Sequence, residues 1–99
     1  MANKTNKTYI VGGKQVKLYT IGELSRRLDR QHQTIRKWER DGIIPPAQFR
    51  SKTNRRLYTE AQINAIVKVV ERYRLKQGSK IPDGFKEDVY MEFNRVTET

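Results

Sequence analysis

Along this chain the spacing of apolar positions changes several times, and each change marks an element. In YIVGGKQVKL (residues 9–18), Tyr9 and Val11 and then Val16 and Leu18 alternate with other residues on either side of Gly12-Gly13. Two short period-two runs around a glycine pair predict a β-hairpin. An isolated hairpin is marginal in water, so this one is expected to pack on the elements after it. In TIGELSRRL (20–28) the period lengthens: Ile21, Leu24 and Leu28 share one helical face, and Thr20 with Glu23 has capping-box spacing. Asp29-Arg30 then predicts a tight connection into a second helix over about 31–41.

In that second helix Ile35 and Trp38 fall on one side. At 100° per residue, Gln33, Arg36, Lys37 and Arg40 fall on the other. Gly42 has the character of a helix-ending residue, Ile43 supplies the hydrophobic contact that accompanies such ends, and Pro45-Pro46 forbids continuation. Phe49 and Leu57-Tyr58 flank a polar basic stretch, Arg50 to Arg56, which includes Asn54. A second hairpin with a charged tip is the simplest reading. Thr59 with Gln62 repeats the capping-box spacing, and Ile63, Ile66, Val67 and Val70 carry a third helix to about Leu75, with Gly78 beyond its end. After the turn-forming GSKIPDG, Phe85, Val89, Phe93 and Val96 mark a short amphipathic helix.

Hairpin, helix, tight turn, helix, basic hairpin, helix is the order of a helix–turn–helix followed by a β-wing. The predicted fold is a single domain, mainly α with small β-hairpins. Residues 1–8 are read as a flexible tail, 9–76 as a winged helix–turn–helix with an N-terminal hairpin, and 77–99 as a linker and short helix. The core is expected to hold Ile21, Leu24, Leu28, Ile35, Trp38, Leu57, Ile63, Ile66, Val67 and Val70.

Charge narrows the class of partner. The 99 residues carry 21 Lys plus Arg against 11 Asp plus Glu, for a net charge of +10. The excess is concentrated. Residues 26–56 hold Arg26, Arg27, Arg30, Arg36, Lys37, Arg40, Arg50, Lys52, Arg55 and Arg56 against only Asp29, Glu39 and Asp41, whereas the residues after 56 balance. A charge kept for solubility would be spread; a local one is aimed at a polyanion. Nucleic acid fits better than an anionic membrane, because the charged helix has only a two-residue apolar stripe. RNA fits less well than duplex DNA, because exposed aromatic residues patterned for stacking are missing.

The absence of cysteine excludes disulfides and thiolate metal sites. MANKTNKT has no apolar core and is not read as a signal peptide, and no run approaches the roughly 20 apolar residues of a membrane span. The lone His32 has no base–nucleophile arrangement and the acidic residues show no metal-ligand spacing, so catalysis and metal binding are not expected.

YTIGELSRRL (19–28), TIRKWERDGIIPP (34–46) and RRLYTEAQI (55–63) occur in that order, and together they resemble the winged helix–turn–helix module of the MerR family of transcription regulators, over about residues 19–70. Trp38 is also similar to the related excisionase-like subgroup. The chain departs from the pattern at Asp29, where the family usually has glycine. It departs again at Arg30 and Gln31, where the family has a small apolar residue and a serine cap.

The resemblance implies a sequence-specific double-stranded DNA-binding protein, a small regulator of a bacterial or phage-infected cytoplasm. An architectural factor of a mobile element or phage, excisionase-like or part of a packaging complex, is the alternative reading. A basic RNA-binding protein is the more distant one. The second helix would enter the major groove with Gln31, His32, Gln33, Arg36, Lys37 and Arg40. Gln33 has the chemistry to pair with adenine, and Arg36 or Lys37 to pair with guanine or hold a phosphate. The wing would present Arg50, Lys52, Arg55 and Arg56 to the backbone or minor groove, although Arg55 or Arg56 could turn inward and brace the wing against the first helix. In the family, the positions of Arg56, Tyr19 and Thr20 contact backbone. Full-length members continue into a long dimerising helix and an effector-binding region that this sequence lacks. No cofactor or small-molecule effector is therefore expected. Phe85, Val89, Phe93 and Val96 form a candidate face for a homodimer or accessory protein, or a face that folds back on the domain.

Overall fold

The computed structural model describes residues 6–97. Strands β1 (Asn6–Val11) and β2 (Lys14–Thr20) lead into helices α1 (Ile21–Leu28) and α2 (His32–Arg40). Strands β3 (Phe49–Arg50) and β4 (Arg56–Thr59), then helices α3 (Glu60–Arg72) and α4 (Phe85–Thr97), complete the chain. Lys7 and Thr8, expected in the tail, already belong to β1; the remainder of the tail expectation lies outside the described residues.

The two hairpins are one sheet. Its order is β1-β2-β4-β3, antiparallel throughout, because β2 pairs with β4 through Leu18↔Thr59, Tyr19↔Tyr58 and Thr20↔Leu57. Side chains alternate between the faces of a strand. Tyr19 and Tyr58 therefore share the face that joins the main core, with Leu24, Leu28, Ile35, Trp38, Ile44, Ile63 and Ile66. Leu18 and Leu57 are buried on the opposite face.

Helix ends explain how short helices turn so sharply. After α2, the Gly42 amide donates to the Glu39 carbonyl (3.1 Å) and the Ile43 amide to the Trp38 carbonyl (2.7 Å). Gly42 sits at φ 75°. This is the paired 6→1 and 5→2 closure that a left-handed residue makes available. Two other helices close in the same way without glycine: after α1 through Asp29 (φ 54°) and after α3 through Arg74 (φ 50°). A left-handed non-glycine residue costs about 1 kcal/mol. Arg74 is exposed. Arg74→Gly is therefore expected to raise stability by roughly 0.5–1 kcal/mol, read as a higher urea midpoint with an unchanged slope.

Two expectations require correction. Thr20 is the residue before α1, but its side chain makes no capping hydrogen bond. Glu23 is instead buried, with its carboxylate held by Arg26 (2.5 Å) and Arg27 (2.6 Å) one turn further on. The equally spaced Thr59 and Gln62 do form the reciprocal box, both bonds at 3.0 Å. The second correction concerns α4. Phe85, Val89 and Phe93 are not a free partner face; they are buried in the core, with Val96 partly covered. The Phe85 ring packs edge-on against Trp38 at 5.9 Å and Tyr73 at 5.5 Å between centroids.

Candidate nucleic-acid interface

Helix α2 divides its residues as an amphipathic helix must. Ile35 and Trp38 are buried, while Gln31, His32, Gln33, Arg36, Lys37 and Arg40 are exposed. Its position on the domain is set from three sides. Trp38 is keyed to α4 through Phe85. The start of α2 lies beside the first turn of α1: a Cβ on Gly22 would stand 3.9 Å from His32 Nε2, an ordinary contact, and 3.3 Å from Thr20 Oγ1. Arg30 ties down the preceding turn, donating to the carbonyls of Leu28 (2.9 Å), Asp29 (3.3 Å) and, just past α3, Leu75 (2.6 Å). The arginine that departs from the family pattern is thus a strut between the C-terminal ends of α1 and α3.

The wing is attached to α2 by charge. Arg56 on β4 meets the Glu39 carboxylate at 2.7 Å, and the same carboxylate accepts the Ala47 amide at 2.8 Å. Glu39 is 9% exposed and Arg56 24%. Burial pushes the Glu39 carboxyl up, but the Arg56 hydrogen bond, the Ala47 amide and the positive charge of Arg56 and Arg50 outweigh it and hold it below the usual range. Arg56 therefore serves as the inward brace, but against α2 and not against the first helix as expected, because the acidic partner that reaches it is Glu39. At the wing tip, Asn54 adopts φ 64° and closes the turn onto the Ser51 carbonyl, and Arg50 donates to the Asn54 carbonyl at 3.2 Å.

Sorting the exposed cations by partner shows which are committed. Lys37 pairs with Asp41 at 2.8 Å and holds its carboxyl below the ordinary range; Arg40 lies 4.0 Å from the same carboxylate. Arg36, Lys52 and Arg55 have no acidic partner among the described residues, Arg50 forms no ion pair there although its charge reaches Glu39, and neither His32 nor Gln33 has a side-chain hydrogen bond there. The expected backbone residue Thr20 is half-exposed at the start of α1. Tyr19 is buried, its hydroxyl donating to Glu60 at 2.7 Å and its ring lying under Arg27 at 5.4 Å. Among the described residues no cluster of His, Cys, Asp and Glu suits a metal ion, and no helix is long and apolar enough to cross a membrane.

The model of the MerR HTH family regulatory protein matches residues 19–79, more than half of the chain. The chain belongs to the MerR helix–turn–helix family. It is a winged helix–turn–helix protein of the DNA-binding transcription-regulator class. The matched MerR segment runs from the end of β2 through α1, α2, the wing and α3, and leaves out β1 and α4. No curated protein and no solved structure matches the chain.

Proposed function

We propose that this MerR-family domain reads duplex DNA by inserting the exposed face of α2 into the major groove, with the wing tip on the flanking backbone. The observation that supports this most directly is the unequal commitment of polar groups on α2. Glu39 and Lys37 have intramolecular partners, whereas Gln33 and Arg36 project side by side without any among the described residues. Both have the donors and acceptors that discriminate base edges: an amide for adenine, a guanidinium for guanine. Lys52 and Arg55 supply sequence-independent attraction to phosphate, which fixes register. A helix of nine residues, at about 1.5 Å per residue, spans only a few base pairs. The half-site is therefore short.

The test is selection from random duplexes, followed by binding of the selected and a scrambled sequence at fixed salt. The selected duplex should be preferred by about 10³ or more. Gln33→Ala and Arg36→Ala should each lower that preference by roughly 10–100-fold, corresponding to about 1–3 kcal/mol at one base pair. Both side chains are exposed, so thermal stability should stay within about 0.5 kcal/mol. Equal losses on selected and scrambled DNA would mean that neither side chain reads a base.

A further inference from the structure

The N-terminal hairpin lies outside the matched family segment apart from the end of β2, yet it shares a sheet with the wing. Between β1 and the wing tip runs a groove of about 630 Å³, whose lining includes Lys7, Thr20, Ser51, Lys52, Thr53 and Arg55. We propose that this groove is a second backbone-phosphate site, in which the hairpin residue Lys7 joins Lys52 and Arg55 in holding the DNA strand that flanks the bases read by α2.

The register shows how the site is built. Lys7 pairs with Leu18, and Thr20 with Leu57. Leu18 and Thr20 are two residues apart on β2, so Lys7, Thr20 and Leu57 all point to the same face of the sheet. The sheet thereby aims a hairpin cation and the start of α1 into one space, which the wing loop borders with two more cations. The chemistry of the lining is one-sided. It contains three cations and no acidic side chain, and none of the three cations has an acidic partner among the described residues. Hydroxyls stand beside them at Thr20, Ser51 and Thr53. Cations with hydroxyls suit phosphate oxygens. Three lining residues, Thr20, Lys52 and Arg55, already belong to the proposed DNA surface. The duplex is thus the polyanion that reaches the groove without a second binding event.

This inference rests on the proposed reading of DNA, and the experiment separates the two. Affinity of the full chain for its selected duplex is measured across a salt series for wild type, Lys7→Ala and Lys14→Ala. Lys14 is on the same hairpin and also exposed, but outside the groove. Lys7→Ala should weaken selected and scrambled duplexes alike, by roughly 3–10-fold near 0.1 M salt, and reduce the log–log salt slope by about 1. Lys14→Ala should leave the slope unchanged. If wild type discriminates sequence and Lys7→Ala retains the full slope, the groove inference is overturned while the reading of α2 stands. Equal losses from Lys7 and Lys14 would overturn it in favour of diffuse attraction. Failure of wild type to discriminate any duplex would remove both.

Discussion

Phe85→Ala is expected to destabilise the domain by about 3–5 kcal/mol, the range for removing a buried aromatic ring. A single domain of this size has a total stability of roughly 5–15 kcal/mol, so a large share of it is at stake. The midpoint of thermal unfolding should fall by roughly 15 °C or more. Phe85 is fully buried at the start of α4 and stands edge-on to both Trp38 and Tyr73. Its loss opens a cavity under α2 and loosens the attachment of α4 at the same time. Met91, 59% exposed on the same helix, is the control, and Met91→Ala should change stability by no more than about 0.5 kcal/mol. Urea denaturation of both variants checks this. A Phe85 effect below about 1 kcal/mol would mean that α4 does not pack where it is described.

Glu39→Ala is the second large effect. It strips the partner from a three-quarters-buried arginine and the acceptor from the Ala47 amide. Breaking a fully buried pair by removing one partner costs about 3–5 kcal/mol; with Arg56 partly open to solvent, roughly 2–3 kcal/mol is expected. Because Arg56 is the brace, the wing should lose its register on α2 and all duplexes should bind more weakly, selected and scrambled alike. Arg56→Ala should do the same. The double substitution should cost clearly less than the sum, since the second change has no pair left to break.

The pH dependence follows from the lowered Glu39 carboxyl. A carboxylate whose pKa is depressed on folding contributes stability that is fully present above its unfolded value, near 4.3, and lost as pH falls through the folded value. Wild type should therefore lose stability below about pH 4.3 more steeply than Glu39→Gln. Parallel curves for the two would show that the Arg56 pair contributes nothing to acid lability.

Local rules made much of this visible in the sequence. The inward turn of Ile35 and Trp38 follows from helical period alone, and the end of α2 follows from Gly-Ile-Ile-Pro-Pro, because a left-handed glycine and two prolines leave few alternatives. Failures came where the deciding partner is remote, or where two local rules compete. Thr20-x-x-Glu and Thr59-x-x-Gln look alike as text. Only the first has arginines three and four residues beyond its acid, and those capture the carboxylate. Nothing near Arg56 in sequence says that Glu39, seventeen residues earlier, faces it. Nothing near Phe85 says that Trp38 does. The union of two hairpins in one sheet depends on β2 meeting β4, a contact between residues about forty apart. Short-range periodicity is blind to such a meeting.

That meeting has a consequence for engineering. Thr20 and Leu57 are direct neighbours across the sheet, so residues 21–56 leave and re-enter the scaffold at a single gate. Antiparallel partners stand only about 4.5–5.5 Å apart at their Cα atoms. Residues 21–56 are therefore spliced into the frame at one place in the chain, and seated on it by the Arg30 strut and the shared core. A segment with a different exposed face on α2, provided it keeps the Glu39–Arg56 clasp, the Arg30 strut and the buried side chains from Leu24 to Ile44, should seat in the same gate without redesign of the frame around it.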